Sequence, residues 1–65
     1  MTQDGQEKVL SKGFTVIRKD DTPNIRIKIL ARVGTWKTYA VFKTKAERDR
    51  EFYLMLKNNE NVIED

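Results

Sequence analysis

The chain contains no cysteine and no histidine. The first absence removes disulfide bracing, thiolate zinc sites and thiol nucleophiles. The second removes the commonest metal ligand and the usual general base at neutral pH, so only carboxylates, lysines and tyrosines remain for acid–base work. No enzymatic activity, no metal and no cofactor are therefore expected. Long apolar runs are missing as well, since nothing approaches the ~20 residues needed to cross a bilayer. The opening "MTQDGQEKVL" is polar and acidic where a secretory leader would be basic and then apolar. A cytoplasmic location without a membrane partner is expected.

What is present suits one small folded domain. The length is 65 residues, with 38% hydrophobic and 35% charged side chains. Enough Ile, Leu, Val and Phe are available to offset chain entropy, although a chain this short buries only a modest core. Acidic residues are scarce where basic ones are dense. From Lys12 to Lys45 there are nine cations against two acids, Asp20 and Asp21, a balance of +7. The first eleven residues carry −1 and the last twenty −3, so the overall +3 conceals a positive middle between acidic ends.

That middle reads as strands. "GFTVIRK" (13–19) is rich in β-branched and aromatic residues and is stopped by "DDTPN", whose Asp, Pro and Asn favour a turn. "IRIKILARV" (25–33) alternates with a period of two, placing Ile25, Ile27, Ile29, Ala31 and Val33 on one face and Arg26, Lys28, Leu30 and Arg32 on the other. After a turn at Gly34 and Thr35, "WKTYAVFK" sends Trp36, Thr38, Ala40 and Phe42 one way and Lys37, Tyr39, Val41 and Lys43 the other. Thr44 followed by Glu47 has the capping-box spacing, so a helix starts at Lys45 and runs to Asn58 and Asn59. Ala46, Asp49, Phe52, Tyr53 and Leu56 share the helix side expected to meet the sheet.

The expected fold is α+β: a three-stranded antiparallel meander packed on one C-terminal helix, with "NVIED" as a candidate short fourth strand. Residues 1–65 form a single domain, in which 1–11 are a loose lead-in, 13–58 the folded core and 59–65 a tail. Leu54 and Met55 lie outside the helix's sheet-facing stripe. Either Val9, Leu10, Val62 and Ile63 fold over them, or they form an interface with another protein or a second copy.

With Phe14, Val16, Ile25, Ile27, Ile29, Trp36, Ala40 and Phe42 turned to the helix, the other sheet face carries Lys19, Arg26, Lys28, Arg32, Lys37, Tyr39 and Lys43, and no acid. Thr15, Ile17, Leu30 and Val41 lie among them. Six gathered cations repel one another unless an anion is usually present, and a merely solvated face would mix Glu among the Lys. Nucleic acid, duplex DNA in particular, is the expected partner, because a β-ribbon enters the major groove and Arg and Lys donate to guanine edges and phosphates. Arg26 and Arg32 offer the guanidinium fork that reads a base. Lys19, Lys28, Lys37 and Lys43 suit phosphate, Tyr39 either, and Lys45 adds an anion contact at the helix start. The alternative is a protein-interaction module working through Leu54, Met55, Val62 and Ile63.

The order strand, strand, strand, helix, with "WKTYAVFKTKAERDREFYLML" closing it, resembles the arm-type (AP2-like) DNA-binding domain at the N-terminus of tyrosine recombinases, or integrases. The likeness spans about Gly13 to Asn59. In that family a Phe-x-Thr-x-x-Glu/Ala turn, comparable to Phe42, Thr44, Ala46 and Glu47, joins the third strand to the helix. The resemblance implies a sheet seated in the major groove through Arg26, Lys28, Lys37 and Tyr39. It also implies a free-standing accessory factor of the phage or mobile-element kind. The turn "KDDTPN" departs from the family, where a tighter, Gly-containing turn is usual.

Overall fold

The structure, a computed structural model, describes residues 1–65. Its elements in order are α1 (Gln3–Ser11), β1 (Thr15–Asp20), β2 (Arg26–Arg32), β3 (Thr35–Val41), α2 (Lys45–Asn58) and β4 (Val62–Glu64). The strands form one sheet in the order β3-β2-β1-β4. The β1–β2 and β2–β3 pairs are antiparallel, as the meander requires, and β4 lies parallel to β1 with Val16 opposite Ile63. The α+β class, the three-strand meander, the C-terminal helix and the fourth strand drawn from the tail are all present.

The start of α2 follows its local chemistry: the Thr44 hydroxyl accepts from the Glu47 amide at 3.2 Å. The lead-in does not stay loose. Thr2 caps α1 by accepting from the Gly5 amide at 3.1 Å, and the C-cap Lys12 is followed by Gly13, whose φ of 87° suits a residue without Cβ. A glycine inside it and the lack of a wide apolar stripe make α1 a poor helix by propensity, so tertiary contact holds it. Gln6, one of only two buried polar residues, accepts from the Gly34 amide at 2.8 Å and ties α1 to the β2–β3 turn.

The sheet is covered on both sides. Ile17 and Ile27, fully buried, meet Phe52 of α2, with Ile29, Phe42, Met55, Leu56 and Val62 around them. Val16 and Leu30, also buried, belong to the opposite face, against which α1 lies across β1 and β2. This reverses the expected sides of β1. Ile17 points to α2 and Val16 away from it, because a strand buried on both faces shows no alternation by which its sides can be told.

A second correction concerns Trp36. The β2–β3 ladder carries two irregularities, one between Ile27 and Lys28 and one between Leu30 and Arg32, which leave Tyr39 and Ala31 as the extra residues. They compensate each other, so both ends of the hairpin keep one register while the middle slips by one residue. Ala40 stays opposite Ile27, but Trp36 falls opposite Leu30 and Lys37 opposite Ile29. Trp36 therefore leaves the α2 side for the α1 side, and Lys37 makes the reverse move.

Candidate nucleic-acid interface

Three of the cations project together on the α1 side of the sheet, beyond the part that the helix covers. Register places Arg18 opposite Lys28, Asp20 opposite Arg26 and Thr38 opposite Lys28. Arg18 was not among the residues picked from the sequence. Its guanidinium carbon lies 4.3 Å from the centroid of the Trp36 ring, two strands away, and its Nη1 is 3.6 Å from Asp65 Oδ2. Only the slipped register brings that tryptophan to Arg18, so no spacing along the chain signals the pair.

The expectation of an acid-free face fails here. Asp20, the last residue of β1, stands among these cations because the strand's alternation puts it beside Arg18. Its Oδ2 accepts from Arg26 Nη2 at 2.8 Å and Nε at 3.2 Å, and lies 3.4 Å from Lys28 Nζ. The other oxygen, Oδ1, accepts from the Thr22 amide at 3.1 Å. The Arg26 hydrogen bonds, helped by the Thr22 amide and Lys28, hold the Asp20 carboxyl well below the usual carboxylate range.

Lys19 lies on the other face, 3.9 Å from Asp49 Oδ1 and 5.4 Å from the Phe52 ring centroid. Lys45, at the start of α2, is 3.5 Å from Asp21. The same aspartate receives Arg48 Nη1 at 2.5 Å, while Arg48 Nε donates to Asp49 Oδ1 at 2.8 Å. Arg48 is 5% exposed, although it lies outside the stripe expected to meet the sheet. Its hydrogen bond lowers the Asp21 pKa, and Asp21 in return raises that of Arg48 against the opposing effect of burial. Together these contacts fasten the β1–β2 turn onto α2.

Of the eight residues expected to contact nucleic acid, four thus have carboxylate partners: Lys19, Arg26, Lys28 and Lys45. Arg32, Lys37, Tyr39 and Lys43 are free of ion pairs. All four are exposed: Arg32 ends β2, Lys37 and Tyr39 lie in β3, and Lys43 precedes the α2 cap. Because β3 is an edge of the sheet, its outer side is open to solvent, and Tyr39 and Val41 there are 51% and 57% exposed. No Asp or Glu occurs between Asp21 and Glu47.

The residues of the alternative interface do not form one open surface. Met55 and Val62 pack against the core, and Ile63 is half-buried in β4 beside Val16. Leu54 remains exposed, next to Tyr53. A shallow groove of about 530 Å³ runs along α2, lined by Phe52, Tyr53 and Leu56 and rimmed by Lys19, Lys57, Asp49 and Glu64. Its cations are matched by its acids.

No family model, curated protein or solved structure matches the chain.

Proposed function

We propose that this chain is a small non-enzymatic nucleic-acid-binding module that receives the phosphate backbone of duplex DNA along the β3 edge. One observation carries the reading: Lys37 in the edge strand β3, Arg32 at the end of β2 that leads into it and Lys43 just beyond its other end are all exposed and have no carboxylate partner in the structure. Unneutralised cations in a row suit the regularly spaced charges of a duplex, and releasing condensed counterions makes their capture favourable. Tyr39, exposed between them, adds a hydroxyl for phosphate and a ring for a sugar or base. Arg26 and Arg18 lie behind the edge on the α1 side, each with a carboxylate partner. The resemblance to arm-type domains implies duplex DNA as the ligand and a cytoplasmic factor of the mobile-element kind, but the edge approach departs from the seating it implies, because Lys37 lies on the other side of the sheet from Arg26 and Lys28. The covering of part of the α1-side face by α1 argues for an approach through the edge rather than the flat of the sheet.

The test is fluorescence anisotropy with a labelled duplex. Three phosphate contacts predict a log–log salt slope near −2.7, or about a 40-fold loss of affinity between 50 and 200 mM salt. The pair Lys37→Glu and Lys43→Glu, both exposed, should lower affinity by about tenfold or more with the circular dichroism spectrum unchanged. Absence of binding at low salt would remove the reading. A protein-interaction role then becomes the better one, with exposed Tyr53 and Leu54 as its starting point.

A further inference from the structure

We propose that Asp20 occupies the place of a nucleic-acid phosphate, making Arg26 and Lys28 a second phosphate subsite that an incoming polyanion opens by displacing the internal carboxylate. This inference rests on the nucleic-acid reading above and deepens it.

The geometry is that of an anion site already filled. Three donor nitrogens converge on one oxygen: Arg26 Nη2 at 2.8 Å, Arg26 Nε at 3.2 Å and Lys28 Nζ at 3.4 Å, all to Asp20 Oδ2. A non-bridging phosphate oxygen accepts the same forked guanidinium and ammonium donors. Around this centre, Arg26 Nη1 meets the Thr38 hydroxyl at 3.4 Å, and Arg18 stands opposite Lys28 across the sheet. The two side chains bonded to Asp20 are 18% and 20% exposed, so the site opens to solvent but is not laid bare. One carboxylate faces two cations, and the patch keeps a net positive charge that attracts a polyanion before the exchange.

Asp20 is also placed to yield. It ends β1 at the edge of an exposed turn, and its second oxygen is anchored only by the Thr22 amide. Because Arg26 keeps its carboxyl ionised far below neutrality, protonation does not free the cations at physiological pH. Competition by another anion does. The exchange forms and breaks no covalent bond; it replaces one monoanionic acceptor with another.

The variant Asp20→Asn keeps the shape and the Oδ1 acceptor for Thr22 while removing the charge. We expect it to bind the same duplex about tenfold more tightly, with a salt slope steeper by roughly 0.9 for each phosphate added. In the native background Arg26→Gln or Lys28→Gln alone should cost less than about threefold, and in the Asp20→Asn background about tenfold, a coupling that a double-mutant cycle reads directly. If the native chain binds DNA and loses it on Lys37→Glu, but Asp20→Asn changes neither affinity nor slope, the Asp20 contact is an ordinary structural ion pair and the inference falls while the binding reading stands. If neither protein binds, both fall. Should Asp20→Asn fail to fold, Asp20→Ser takes its place: a gain of about tenfold with a steeper salt slope supports the inference, and unchanged affinity and slope overturn it.

Discussion

Arg48 is the residue on which the attachment of α2 to the β1–β2 turn depends. It sits at a helix position where an arginine would ordinarily reach into water, yet it is buried, and its donors go to Asp21 and Asp49. Burying a guanidinium is unfavourable unless its charge and its N–H groups are both met, and here no buried polar side-chain atom is left without a partner. Arg48→Ala should destabilise the fold by about 1–3 kcal/mol in urea unfolding. The loss stops short of that for splitting a fully buried pair, because Asp21 and Asp49 are about half exposed and water takes over their solvation. Arg48→Met, which restores apolar packing without charge, should recover part of it. An unchanged urea midpoint for Arg48→Ala would mean the turn is held by other contacts. The sequence hinted at only half of this. Asp49 belongs to the stripe expected to meet the sheet and is half exposed there, but nothing in the pattern distinguishes Arg48 from the exposed Arg50 two residues on.

The elements were legible wherever a period ran uninterrupted. β2 alternates without a break, α2 has its capping threonine, and "DDTPN" can hardly be anything but a turn. The sides of those elements were less legible, because paired irregularities in the β2–β3 ladder change which residues share a face without changing composition or length. α1 was illegible for a different reason: a helix with a glycine inside it and few apolar residues gives no signal until the sheet it covers is known. Its contact through Gln6 is testable. Gln6→Ala removes the buried acceptor of the exposed Gly34 amide, and should cost about 1 kcal/mol. Hydrogen exchange at the Gly34 amide should quicken in that variant, with β1 and β2 amides affected only through global stability. Unaltered exchange at Gly34 would mean that water already satisfies that amide and that α1 is attached by packing alone.

At the scale of the molecule, the segregation of charge along the chain was plain in the sequence, while its neutralisation in space was not. Asp20 and Asp21 look like turn residues in one dimension and are ion-pair partners in three. Their pairing makes stability depend on pH in a definite direction. Both carboxyls titrate below their ordinary value of 3.8 in the folded chain, so the stability they contribute is complete above that value and is lost as pH falls through the lower, folded values. Thermal unfolding followed from pH 7 downward should show a nearly level melting temperature until about pH 4 and a steep fall beneath it. Asp21→Asn should flatten that fall; an equally steep one would assign the acid sensitivity to other carboxylates. The strands also divide the labour. β1 and β2 lie between the helices and carry four of the five buried apolar residues, whereas β3 takes its contacts almost wholly from β2 and turns Lys37, Tyr39 and Val41 outward. A sheet arranged in this way can have the lettering of its outermost strand rewritten while its keel stays intact, so what the molecule grips can drift or be redesigned independently of how well it holds together.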